Sequence, residues 1–270
     1  MELVIKPKKA FSLNLKELFA YRELFIALAR RDIKVRYKQT AIGVLWAILQ
    51  PLILMIVFSV FFGKIAGIKT DGTPYPIFVY SGLLFWDFFS NSLSSAAGSL
   101  VGNQAIIQKI YFPRLIIPIA SVLVFLLDFI FSGLIFAGLM VYYHASPSLV
   151  GIALVIPALI ITFLTSMGIG LFFAALNVKY RDVRYVLPFF IQLLLFVTPV
   201  IYQPSVLGKF QWLWYFNPMS GVIDAMRNGL VGIGPINWEL LGASALVSIV
   251  LFTIGLLYFN KTEKYFADIV

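Results

Sequence analysis

Residues 41–63 read AIGVLWAILQPLILMIVFSVFFG, an apolar run without one charged side chain. Such a run is too long for the apolar core of a signal peptide. At about 1.5 Å per helical residue it is long enough to cross a hydrocarbon layer of about 30 Å. Five more stretches of this kind follow, at 76–101, 115–143, 149–176, 186–202 and 240–259. Their only charged residues are Asp87 in the second and Asp128 in the third. Backbone in lipid must satisfy its own hydrogen bonds, so each stretch reads as a helix, and the short alternating strands of a membrane barrel are absent. The fifth stretch is short, and its helix is expected to start among the polar residues near Arg184. Composition agrees: 61% of residues are hydrophobic and only 12% charged, against roughly 25% charged in soluble domains, too little polar surface to cover a globule in water.

The basic residues are distributed unevenly. Of the 21 Lys and Arg, all but Lys64, Lys69, Lys209 and Arg227 fall in residues 1–40, in the turns after the second and fourth stretches, or after the sixth. By the positive-inside rule both ends of the chain are expected in the cytoplasm. A basic rim facing anionic lipid accounts for the net charge of +9, and no nucleic acid is needed to explain it. The expected organisation is a single domain over 1–270. Residues 1–40 form a cytoplasmic interfacial segment, 41–260 a six-span bundle and 261–270 a cytoplasmic tail.

Before the first span, residues 14–31 place Leu15, Leu18, Phe19, Phe25, Ile26 and Ala29 on one helical side and Lys16, Glu23, Arg30 and Arg31 on the other. This predicts an amphipathic helix on the membrane surface, with a helix packed in a small cytoplasmic subdomain as the alternative. The basic run 30–38 would then anchor the chain at the headgroups. Two short loops, 102–114 and NVKYRDVR at 177–184, mix charges with aromatics. That mixture suits docking onto another protein, and Tyr111 and Phe112 would equally suit the bilayer interface. On the opposite side, 203–239 is rich in Trp and interrupted by Pro204, Pro218 and Pro235, which predicts short helices lying in or on the outer leaflet.

Polar groups within the spans are candidates for function. Asp87 and Asp128 must each meet a partner or a cavity, because a bare carboxylate in lipid costs about 3 kcal/mol or more. A proton relay is one reading; a structural bond to a polar or basic residue of a neighbouring helix is the preferred one. Gln50 and Asn91 are the other intramembrane polar candidates, and Gln50-Pro51 invites a kink. Trp46, Trp86, Phe88 and Tyr202 lie near span ends, where they either anchor at the interface or offer flat faces to sugar rings.

Several chemistries are excluded. The chain has no Cys and a single histidine, His144, so it holds no thiolate or multi-histidine metal centre. No G-x-x-x-x-G-K-[ST] sequence occurs, and Gly63-Lys64 lacks its context, so ATP has no P-loop here. No nucleophile–base pair stands out, so the chain is not expected to be an enzyme or to hold a cofactor.

The order of motifs resembles the membrane permease subunit of bacterial ABC exporters for surface polysaccharides such as O-antigen and teichoic acid. The resemblance lies in LARRDIKVRYKQTAIGVLWAILQPL at 28–52, YSGLLFWDFFSNSL at 80–93 and IQKIYFPRLIIPIA at 107–120. It continues in NVKYRDVRYVLP at 177–188, TPVIY at 198–202 and NPMSGVIDAMRNGL at 217–230. It implies an all-α integral membrane protein of six transmembrane helices per protomer, with an N-terminal amphipathic interfacial helix and short outer re-entrant or gate helices over 204–235. It also implies a homodimer in the bacterial cytoplasmic membrane, served by two copies of a separate ATPase that binds ATP and Mg, and a lipid-linked polysaccharide as cargo. By the same resemblance, Gln108, Lys109, Ile110, Tyr111, Phe112, Pro113 and Arg114, with Tyr180, Arg181 and Asp182, couple to the ATPase. The first and fifth spans wall the path, so Tyr37, Phe190 and Phe196 join Trp46, Trp86, Phe88 and Tyr202 as pathway candidates. Three rivals remain: an ABC permease for a lipid, drug or peptide, a proton-coupled secondary transporter using Asp87 and Asp128, and a structural or assembly protein without flux.

Overall fold

The computed structural model describes residues 15–38, 43–68, 70, 72–180 and 182–263. Residue 14, the start of the 41–63 stretch, Arg181 and residues 264–270 of the tail therefore lie outside the described residues. The described chain is helical, in ten α-helices. They are α1 Leu15–Ala20, α2 Arg22–Lys38, α3 Val44–Phe58, α4 Tyr75–Gly102, α5 Gln104–Ile107, α6 Ile116–Tyr142, α7 Leu149–Lys179, α8 Val183–Val197, α9 Pro218–Val231 and α10 Trp238–Thr262. α3 runs on as a π-helical segment, Ser59–Ile65, and a 3-10 segment, Pro204–Phe216, broken at Gly208, precedes α9.

Four helices are long and apolar enough to cross a membrane: α3 with its π extension, α6, α7 and α10. α4 has the length, 28 residues, but spends it on Asp87, Asn91 and a series of serines. Its polarity is affordable because it is the central helix, packed by α3, α6, α7 and α9, with Ile77, Phe78, Val79, Tyr80, Leu83 and Leu93 fully buried. α8 is the opposite case: 15 residues, of which only Leu187 and Ile191 are buried. It starts at Val183, among the polar residues as expected, and ends at Val197, short of the expected 202.

The helices close on one another through small residues, which let backbones approach where no hydrophobic force separates protein from lipid. At the α7–α10 crossing a Cβ on Gly168 would stand 2.5 Å from the Phe252 nitrogen. Gly151 and Gly229 abut in the same way between α7 and α9. Hydroxyls finish the contacts. Thr165 and Ser248 share a hydrogen bond of 2.7 Å between α7 and α10, and Ser244 Oγ accepts from the Gly221 N–H in the first turn of α9 at 2.9 Å. Pro51 lies inside α3 and has no N–H for the Ala47 carbonyl. Ser132 Oγ of α6 supplies the missing donor at 3.2 Å. α3 continues through Pro51 as one α-helix, and its turns widen to π-helix further on, at Ser59–Ile65.

The N-terminal segment differs from the expectation. The chain forms α1 and then α2, which runs to Lys38 rather than stopping near 31. α2 packs against α6 and buries Leu28 and Ala29. Part of the basic run is tied into the bundle: Arg31 and Arg36 have partners there, Arg36 half-buried and Arg31 still exposed like Arg30, Lys34 and Lys38.

Candidate functional site

Three groups of residues carry the site, one at each end of the bundle and one inside it. Inside, Gln50, Asp87, Asn91 and Asp128 all line a single void of about 20 Å³, bounded also by Arg36 and Ser132. The four intramembrane polar candidates, from three helices, are thus brought together. Such a void is about the size of one water molecule. Asp128 is not bare: Arg36 Nη2 donates to its Oδ2 at 2.5 Å, and the Tyr37 hydroxyl donates to its Oδ1. The Arg36 guanidinium also lies over the Phe125 ring, 4.7 Å from its centre. Burial first, then the Asp128 carboxylate, push the Tyr37 phenol above its ordinary range, so it stays a donor at any physiological pH. Asn91 Nδ2 donates to the Asp87 carbonyl at 2.8 Å, while Asp87 Oδ2 is buried with no hydrogen-bond partner among the described residues.

Next to this void, toward the basic end, a cavity of about 710 Å³ opens between α2, α3, α4 and α6. Asp32, Arg36, Trp46, Ser95, Ser121 and Phe125 line it. Trp46 is half-exposed there, at 50%. The remaining pathway candidates divide. Phe190 and Phe196 lie on the exposed side of α8, and Tyr202 is half-buried against Trp214 with its hydroxyl donating to the Phe196 carbonyl at 2.5 Å. Trp86 and Phe88 are buried within the protomer, Trp86 against Phe89 and Phe88 against Phe129.

At the basic end the loop 102–114 has two halves. Gln108, Lys109, Ile110 and Tyr111 are exposed, Tyr111 at 59%, while Phe112 and Pro113 are buried. Arg114 fastens the loop to the end of α10: its backbone N–H donates to Glu263 Oε1 at 3.3 Å and its Nη1 to the Glu263 carbonyl. The loop is also tied to α2, because Arg31 Nη2 donates to Asn103 Oδ1 at 2.7 Å. In the second loop Tyr180 and Asp182 are exposed; Arg181 lies outside the described residues.

The other end holds the residues that sequence reasoning missed. Residues 198–202 leave the helix where α8 stops, yet Thr198, Val200 and Ile201 are buried. Irregular backbone at that depth needs partners from the protein. It has three. Arg227 of α9, only 2% exposed, donates to the Val200 carbonyl at 2.8 Å and the Tyr202 carbonyl at 3.4 Å. The Tyr75 hydroxyl donates to the Ile201 carbonyl at 2.7 Å, and Asn217 Nδ2 donates to Thr198 Oγ1 at 2.9 Å. The Arg227 guanidinium also sits 3.7 Å from the centre of the Phe78 ring. Counting Arg227 as a basic flank of an outer loop was therefore wrong; it is an internal clamp. Its one sequence signal is its place as the sole basic residue of the 217–231 stretch.

Two comparisons bear on this arrangement. A family model described as ABC-2 type transporter matches residues 23–231. O-antigen export system permease protein RfbA of Klebsiella pneumoniae is 30% identical over 262 residues, covering 95% of this chain and 97% of that protein. The protein of the same name in Myxococcus xanthus is 27% identical over 257 residues, with 94% and 97% covered. Polysialic acid transport protein KpsM of Escherichia coli is 25% identical over 248 residues, with 88% and 93% covered.

Proposed function

We propose that this chain, which belongs to the ABC-2 type transporter family, is the membrane permease subunit of an ABC exporter that moves a lipid-linked polysaccharide out through the cytoplasmic membrane. One observation carries the reading: alignment over 95% of the chain with a permease named for O-antigen export. The motor is a separate cytoplasmic ATPase in two copies, which binds ATP and Mg. It docks on the exposed half of the 102–114 loop, Gln108 to Tyr111, and on Tyr180 to Asp182. Phe112, Pro113 and Arg114 pass its motion to α6 and α10, because they are fixed to the bundle.

Six helices span the bilayer, α3, α4, α6, α7, α8 and α10, with both ends of the chain in the cytoplasm. α8 supports a second copy. Only Leu187 and Ile191 of its fifteen residues are buried in one protomer, which leaves most of its apolar surface open to a partner. Tyr185, Phe189, Phe190 and Phe196 of α8, with Trp46 of α3, give a homodimer aromatic walls for a polymer that is mostly uncharged. The segment 204–216 and α9 close that path on the outer side, held by the Arg227 clamp. Asp128 is occupied by Arg36 and Tyr37, which favours a structural role over a proton relay.

Deletion of the gene is expected to abolish surface glycan and to accumulate lipid-linked glycan inside the cell, both reversed by resupplying this chain, but not in a strain that also lacks the ATPase. Normal surface glycan after deletion would end this reading.

A further inference from the structure

We infer that the cavity between α2, α3, α4 and α6 is a binding subsite for a neutral sugar ring of the transported glycan rather than for the anionic phosphate of its lipid carrier. The inference rests on the export reading above and names a subsite within each protomer that meets the path between two copies at Trp46.

Size is the first argument. About 710 Å³ lies within the range of about 300–1,000 Å³ common for small-ligand sites. The second is charge. The cavity contains the Arg36 guanidinium, which taken alone would favour phosphate. That charge is already matched, because Asp128 accepts from Arg36 at 2.5 Å. Asp32 brings a carboxylate of its own, matched by Arg31 at 2.7 Å. The cavity wall thus shows a phosphate one guanidinium and one carboxylate, each already paired, and it would gain little from the field.

The third argument is the kind of polar group left over. Asp32 takes both Arg31 bonds on Oδ1, from Nε at 2.9 Å and Nη2 at 2.7 Å, and its Oδ2 has no partner among the described residues. Ser95 and Ser121 each donate to a backbone carbonyl, at 3.3 and 2.9 Å, which leaves their oxygens able to accept. Acceptors of this sort suit ligand hydroxyls, which donate and accept at once. The fourth is the half-exposed indole of Trp46, a flat apolar face for the C–H side of a pyranose. Matched charges, unused acceptors and an open aromatic face together describe a site for sugar.

The test uses the intact complex with its ATPase and the cell's own glycan, collected as lipid-linked material from the deletion strain. Three probes are prepared: the free glycan labelled with a fluorophore at its reducing end, the intact lipid-linked glycan, and the lipid phosphate stripped of sugar. Anisotropy of the labelled glycan is followed for wild type, Trp46→Leu and Ser121→Leu, each first shown to elute with the ATPase as wild type does. The expected result is binding weakened about fivefold or more in both variants, the scale of one aromatic contact, with no displacement by the stripped lipid phosphate. Unchanged binding in both variants overturns the subsite. So does displacement by the stripped lipid phosphate, which would make this a headgroup site. If Ser121→Leu fails to assemble, Ser95→Leu, at a half-buried position of the same cavity wall, takes its place beside Trp46→Leu. Blocked export on deletion together with wild-type binding by the variants removes the subsite and leaves the export reading standing. Unimpaired export on deletion removes both.

Discussion

Replacing Arg227 by Met should loosen the outer end of the bundle by an amount that its contacts define. The change keeps apolar bulk but removes two donors and a cation. It leaves the Val200 and Tyr202 carbonyls, now held at 2.8 and 3.4 Å, without a partner in a buried turn. Each unsatisfied carbonyl costs about 1–3 kcal/mol. A desolvated guanidinium over a ring, here 3.7 Å from the Phe78 centre, adds about 2 kcal/mol. Against these stands the release of a charge that was expensive to bury, so the net loss is about 3 kcal/mol. For a chain of this length that corresponds to a fall in melting temperature of about 6–12 °C. Arg227→Lys keeps the charge and can reach one carbonyl, so it should lose about half as much.

Gly82 provides an independent handle on the same clamp. A Cβ there would stand 3.0 Å from Arg227 Nη2 and 3.2 Å from the Val200 oxygen. Gly82→Ala should therefore displace the guanidinium and cost about 1–3 kcal/mol, the usual scale of overpacking. Because both substitutions break the same bonds, the double variant should lose less than the two single losses together, by at least about 0.5 kcal/mol. The measurement is fluorescence-detected size exclusion of the solubilised complex after heating. Additive losses, or an Arg227→Met protein as stable as wild type, would refute the clamp.

Other outcomes follow from the same geometry. Asp128→Asn should destabilise by about 1–3 kcal/mol, because it strips Arg36 of its carboxylate at 2.5 Å; adding Arg36→Met should recover part of the loss in the same heating assay. Gly168→Ala should reduce the yield of folded protein sharply, since the new methyl would lie 2.5 Å from the Phe252 nitrogen and only a parting of α7 from α10 makes room. Tyr111→Ser should leave melting unchanged and abolish co-purification with the ATPase, whereas Phe112→Ala, 3% exposed, should cost about 3–5 kcal/mol of stability. If the two neighbours behave alike, the loop does not divide into a docking half and an anchoring half.

What the sequence revealed tracks the scale of the force involved. The stretches 115–143, 149–176 and 240–259 reappear as α6, α7 and α10 within a few residues, because a hydrocarbon layer imposes one length and one backbone solution on every span. The family motifs were legible too, and they mark the places where the fold is fastened. TPVIY is the turn that Arg227, Tyr75 and Asn217 hold, and NPMSGVIDAMRNGL supplies two of those three residues. The pairings themselves were hidden. Asp128 plainly needed a partner, but nothing in residues 30–38 marked Arg36 and Tyr37 rather than Lys34 or Lys38 as the ones turned inward. That choice depends on where α2 lies against α6, a property of the packed bundle that no local pattern encodes.

The same packing joins two of the three groups of site residues. α2 is held at Arg31 by Asn103, beside the loop proposed to meet the ATPase, and at Arg36 and Tyr37 by Asp128, beside the polar void. Between these bonds it forms one wall of the large cavity. A push on the 102–114 loop that moves Asn103 must either carry α2 with it or break a hydrogen bond of 2.7 Å. Because the second hold on α2 is an ion pair with α6, carrying α2 along also strains the void around Asp87. The basic helix is therefore placed to feel the motor and the cargo together, which a surface anchor at the headgroups would not.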